Sequence, residues 1–172
     1  MTRDTLLLTI RFVFLLLLQV LVLNNVHFLG SFNPQLYLLF VFLYPLEKER
    51  GNFIFISFLF GMCLDFFSNS GGINAAATVC IAYLRLPLLK LILNKYDLDY
   101  KLFHLMSESL LKVVFFIALL TFIHHSIFYL LDYFSFKNIG VLVYKVITAS
   151  VFTIILSILV LILFDRKKSI KI

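Results

Sequence analysis

The chain has 172 residues, 62% of them hydrophobic and 17% aromatic, with a mean hydropathy of +1.05 and a formal net charge of +6. Soluble domains are about 45–50% apolar, so this excess cannot be buried in one small core, and lipid must be the solvent for much of the surface. Six spanning helices of about 20 residues would use roughly 120 residues and leave about 50, which excludes a separate globular domain and makes residues 1–172 a single polytopic membrane domain.

The first apolar segment, about Thr5–Leu23, follows Arg3. No small-residue cleavage site comes after it, and hydrophobic spans continue to the C-terminus, so it reads as a retained helix and not as a signal peptide. The second, about Pro34–Leu46, is short. Asn33 suits an N-cap and Pro34 the first helical position, while Pro45 kinks or stops the helix at its other end. This segment is either a tilted span extended by the preceding HFLGSF stretch, or a broken or re-entrant one. The third, about Phe53–Phe67, carries Asp65 near its end, and the turn SNSGG follows directly. The fourth, about Ile73–Leu93, should kink at Pro87 and leave LLKLILNK as an amphipathic piece along the interface. The fifth and sixth are about Ser109–Leu131 and Gly140–Phe164. The expected fold is an all-α integral membrane protein with about six transmembrane helices in one bundle. Trp is absent, so Tyr supplies most of any interfacial aromatic belt.

Charge sets the orientation. With the N-terminus in the cytoplasm, all of the fifteen basic residues except Lys137 and Lys145 fall on the inner side. The positive-inside rule then puts both termini in the cytoplasm, as an even number of spans requires. The basic residues are spread over short loops beside lipid, which marks a membrane surface as the partner and argues against nucleic acid.

Polar residues within the apolar runs are the candidates for function. A charged carboxylate in hydrocarbon costs about 2.5–3.5 kcal/mol even on a lenient insertion scale, so Asp65 needs a partner, a wet pocket or a role. Lys145 lies about a turn into the sixth helix from the same side, and His124 and His125 lie in the outer part of the fifth. These four either form an outer polar cluster with Asp65 and Lys145 paired, or Lys145 snorkels to the headgroups and each histidine bonds locally. Adjacent histidines point about 100° apart on a helix and make a poor metal site. His104 and Glu108 have i, i+4 spacing but suggest no third ligand and fit helix capping. Arg85 and Lys112 lie towards the cytoplasmic side and can snorkel. Glu47–Arg50 reads as a solvated turn that, with Tyr44-Pro45, could dock a partner. Gly72, Ala76 and Cys80 follow small-xxx-small spacing with Gly61 opposite, a pattern for close helix approach within the chain or towards a partner helix. Cys63 and Cys80 lie in different spans without a CxxC and read as small buried apolar side chains. The chain offers no Ser-His-Asp arrangement, phosphate-cradling loop or zinc-type cluster, so no cofactor and no enzymatic activity are expected.

Asn33-Pro34, Leu43-Tyr44-Pro45, FLFGMCLDFF and GG-x-N-A-A-A, spread over about Asn33–Leu93, resemble the rod shape-determining protein MreD family. The family's Gly-Leu-x-x-Asp pattern reads Gly61-Met62-Cys63-Leu64-Asp65 here, and its Leu-Gly after the loop reads Gly71-Gly72-Ile73. The flanking helices match only in hydropathy. The resemblance implies a non-enzymatic scaffold in the bacterial inner membrane that works with MreC and with the rod complex of MreB, RodA and its penicillin-binding transpeptidase in lateral peptidoglycan synthesis. It implies a fold similar to the substrate-binding subunits of energy-coupling-factor vitamin transporters, a likeness that transfers no function. On this reading Tyr44, Pro45, Gly61, Asp65, Gly71, Gly72 and Ala76 form the structural and partner-binding core. The alternative is a vitamin-binding subunit with an outer pocket near Asp65, His124, His125 and Lys145. A third class, a small intramembrane enzyme, has the same cluster as its only candidate site.

Overall fold

The structure, a computed structural model, describes residues 3–26, 33–46, 50–94, 105, 108–133 and 139–169, with the backbone alone for 3–4 and 164–169. The HFLGSF stretch at 27–32, Glu47–Glu49, residues 95–104 with His104, Lys137 and Lys171 lie outside the described residues.

The first helix, α1, spans Arg3–Leu17 and continues through a π-helical turn, Leu18–Val22, and a 3-10 turn, Leu23–Asn25. The others are α2 at Leu38–Leu43, α3 at Gly51–Ser68, α4 at Ile73–Leu93, α5 at Leu110–Tyr133 and α6 at Ile139–Ser169. Five stretches are long and apolar enough to cross a membrane: Thr5–Asn25, Gly51–Ser68, Ile73–Leu93, Leu110–Tyr133 and Ile139–Leu163. The described residues therefore form an all-α membrane bundle with five such helices, where about six were expected.

The difference lies in the second segment. Its helix, α2, has six residues, about 9 Å at 1.5 Å per residue, against a hydrocarbon core of about 30 Å. Pro45 ends it as anticipated: Tyr44 is extended, at φ −60° and ψ 138°, the conformation that a following proline imposes. The start differs. Asn33 does not cap a helix beginning at Pro34; its Nδ2 donates to the Asn24 carbonyl. The helix begins four residues later, after a tight lead-in in which Leu38, Leu39 and Phe40 bond back to Gln35, Leu36 and Tyr37.

Hydrogen bonds give the direction of each piece. Asn24 donates to Ser68 at 3.0 Å, so α1 and α3 end at the same face. Segment 33–46 runs back from that face, with its first residues against Gln19 and Asn24 and Tyr44 against Phe53 in the first turns of α3. The SNSGG turn reverses the chain into α4, and α3 packs on α4, α4 on α5 and α5 on α6. Pro87 lies inside α4, which continues as one helix to Leu93. The separate interfacial piece expected after Pro87 is therefore the last turns of α4, with Leu89 and Leu93 in the core.

Segment 33–46 is the centre of the bundle. Leu38, Val41 and Phe42 are completely buried. Phe40 of α2 stacks on Phe60 of α3 at 4.7 Å, and Phe12 of α1 meets both rings edge-on. The perimeter is apolar as well: Phe66 is 82% exposed and Leu111 79%. Such a large apolar outer surface is what a lipid solvent allows.

Candidate functional site

Asp65 closes the α3–α4 hairpin. Helix α4 opens at Ile73 after Gly72, which has no side chain to cap it. The first N–H groups of any helix lack intrahelical partners. Asp65 supplies them from the neighbouring helix. Its Oδ1 accepts from the Asn74 N–H at 2.9 Å and its Oδ2 from the Ala75 N–H at 2.8 Å. Oδ1 also accepts from Ser70 Oγ at 2.5 Å and Asn74 Nδ2 at 3.1 Å. The carboxylate thus does the work of an N-cap in trans, at the positive end of the α4 dipole.

Two features of the backbone make this possible. In SNSGG, Asn69, Gly71 and Gly72 adopt φ of 52°, 65° and 94°. Consecutive left-handed residues at 71 and 72 favour glycine strongly, and they swing α4 back onto α3. Gly61, one turn before Asp65 on the same face, lets the two backbones touch. A Cβ there would collide with Ala75 Cα and lie 2.7 Å from Ala75 N and 2.9 Å from Asn74 O.

A chain of hydrogen bonds leads inward from this cap. Tyr37 Oη donates to Asn74 Oδ1 at 2.9 Å and lies 3.0 Å from His124 Nε2. Asn74 Nδ2 is turned towards Asp65, so its oxygen must face Tyr37. The Tyr37 proton is therefore committed, and His124 Nε2 carries the hydrogen between the two. His124 Nδ1 is left without a hydrogen-bond partner among the described residues. His125 takes the opposite arrangement. Its Nδ1 donates to the Thr121 carbonyl at 2.9 Å, and Thr153 Oγ1, which accepts from the Gln35 N–H, lies 3.4 Å from Nε2. Gln19, carried on the π turn of α1, donates to the Pro34 carbonyl and to Asn24 and accepts from the Tyr37 N–H. One buried polar layer therefore ties α1, segment 33–37, α3, α4, α5 and α6 together.

Of the outer cluster read from the sequence, the structure links Asp65, His124 and His125, the first two through Asn74 and Tyr37. It does not include Lys145. The Asp65–Lys145 pair is replaced by the α4 cap on one side, while Lys145 Nζ lies 4.8 Å from the Tyr133 ring on the other. Asp65 faces its own hairpin, whereas Lys145 sits beside Tyr133 at the end of α5.

The small-residue stripe is also revised. The α3–α4 contact uses Gly61 against Asn74 and Ala75, one position off the predicted register, and leaves Ala76 and Cys80 exposed. Cys63 is half-buried. Tyr44 is buried, with its ring against Phe53 at 4.5 Å, while Pro45 is exposed.

At the opposite end, Arg85 does not snorkel. It is 4% exposed, and its Nη2 donates to the carbonyls of Phe42, at 3.1 Å, and Tyr44. These groups end α2, so a cation from α4 caps the negative end of that short helix. Phe53 flanks the guanidinium at 5.1 Å.

From sequence, Gln19, Tyr37 and Thr153 have no site role, and Asn74 enters only within GG-x-N-A-A-A. Gln19 and Asn74 carry a signal: each is a lone amide in an apolar or small-residue run, and intramembrane polar groups are seldom idle. Tyr37 and Thr153 carry none, since either fits an ordinary membrane helix. No protein-family model, curated protein or solved structure matches the chain.

Proposed function

We propose that the chain is a non-enzymatic scaffold of the bacterial elongation machinery, of the MreD type, which binds the membrane anchor of MreC in the inner membrane. In this reading segment 33–46 is a sixth, broken crossing, so that both termini lie in the cytoplasm. The observation that carries the proposal is the condition of the polar layer. Both Asp65 oxygens and both His125 nitrogens face groups of this same chain, so these residues hold helices in place. A vitamin-binding pocket or a catalytic centre would need them directed at a ligand. Of the residues behind the resemblance, Gly61, Asp65, Gly71 and Gly72 build the α3–α4 hairpin. That hairpin presents Ala76 and Cys80 outward as a face of small side chains suited to close approach by another helix.

The test is purification of the tagged full-length protein from its native membrane in mild detergent, with every co-purifying protein identified. MreC and rod-complex enzymes should come with it, and Ala76→Leu with Cys80→Leu should release MreC without lowering the amount of the protein. Recovery of a transporter's ATPases and coupling subunit would overturn the proposal.

A further inference from the structure

We infer that the chain holds the phosphate of an acidic phospholipid headgroup between Arg85 and Arg50. The inference is independent of the scaffold reading. It starts from an imbalance in the core. A guanidinium has five N–H donors. Arg85 uses Nη2 on the Phe42 and Tyr44 carbonyls, and its Nε and Nη1, with three N–H groups between them, have no hydrogen-bond partner among the described residues. Among those residues this buried cation meets only neutral carbonyls and a ring face, without the counter-charge that burial demands.

Arg85 lines a cleft, with its unpaired nitrogens buried behind the surface. Pro45, Arg50, Phe53, Arg85 and Leu86 line it, and it measures about 270 Å³ out to its open mouth. Its enclosed depth admits a group no larger than a water, which is the size of one phosphate oxygen. Arg50 stands at the residue before α3, so it brings a second guanidinium to the cleft. The N-terminal end of α3, with the positive end of its dipole, borders the cleft through Arg50 and Phe53, the arrangement that favours phosphate. Phe53, Pro45 and Leu86 give the cleft an apolar wall. Two arginines, a helix N-terminus and an apolar wall at the rim of a membrane bundle match a phosphodiester attached to acyl chains. One oxygen reaches Arg85, the remainder stays near Arg50, and the glycerol lies against the apolar wall. Basic pockets between transmembrane helices bind anionic headgroups on this principle.

The experiment is native mass spectrometry of the full-length protein released from detergent micelles doped with phosphatidylglycerol, or with diacylglycerol of the same chains. Inorganic phosphate is tested separately for its effect on thermal unfolding. Phosphatidylglycerol should be retained about tenfold better than diacylglycerol, and Arg50→Gln and Arg85→Gln should each remove about that factor. Arg50→Gln is the decisive variant, because the Arg50 guanidinium lies 5.9 Å from the Tyr83 ring centroid and its side chain makes no capping hydrogen bond to α3, so the bundle should fold without it. If inorganic phosphate stabilises the protein through both arginines with no preference for the lipid, the phosphate site stands and its source is a free anion. Equal retention of phosphatidylglycerol and diacylglycerol without a phosphate effect overturns the inference and leaves a water in the cleft. Retention unaffected by both substitutions overturns it as well.

Discussion

Asp65→Ala isolates the cap that closes the α3–α4 hairpin. The substitution leaves the Asn74 and Ala75 N–H groups without acceptors, and both residues are buried. Each orphaned buried amide costs about 1–3 kcal/mol. Asn74 Nδ2 keeps its bond to Ser70 Oγ at 2.8 Å, so the side-chain donor adds little. Water can reach the exposed turn at Asn69 and Gly71 and recover part of the loss, giving a net destabilisation of about 2–4 kcal/mol. Asp65→Asn keeps one acceptor oxygen and orphans one amide, so it should cost about 1–3 kcal/mol. The assay is reversible SDS titration of the purified protein in mild detergent, followed by helical circular dichroism. A double-mutant cycle with Lys145→Met separates the cap from an ion pair. Lys145 contacts Tyr133, so its coupling to Asp65 should be below about 0.5 kcal/mol. Wild-type stability for Asp65→Ala, or a coupling above about 1 kcal/mol, would refute the cap.

Gly61→Ala should cost about 1–3 kcal/mol in the same titration, because the new methyl meets the α4 backbone and not a yielding side chain; Gly61→Leu should cost more. Tyr37→Phe removes both the donor to Asn74 and the acceptor for His124, for about 1–3 kcal/mol. Nitrogen-15 NMR of labelled histidine should find two tautomers, His124 with the proton on Nε2 and His125 with it on Nδ1. The same tautomer at both sites would break the hydrogen-bond order described above. A single cysteine at Asn69 should react with a membrane-impermeant maleimide added outside intact spheroplasts, and reaction only after lysis would reverse the proposed orientation.

The sequence by itself determined the all-α, apolar character of the chain and most helix limits, because apolar run length and turn chemistry are local properties. The α4 range Ile73–Leu93 was legible to the residue, bounded by Gly72 before it and by a left-handed Asn94 after it. It also singled out Asp65, since an acid in an apolar run stands out whatever its neighbours. It could not say what the acid does. The choice between an ion pair with Lys145 and a helix cap depends on which backbone lies against Asp65, and that follows from the glycine turn and the Gly61 contact acting together. The same holds for Arg85, whose stem length permits snorkelling; only packing against the end of α2 turns it inward. Segment 33–46 shows the limit most clearly. Its two prolines allowed a tilted span or a broken one. The short form is tied at its two ends to Gln19, Asn24, Thr153 and Arg85, partners from three other helices that no local pattern could supply.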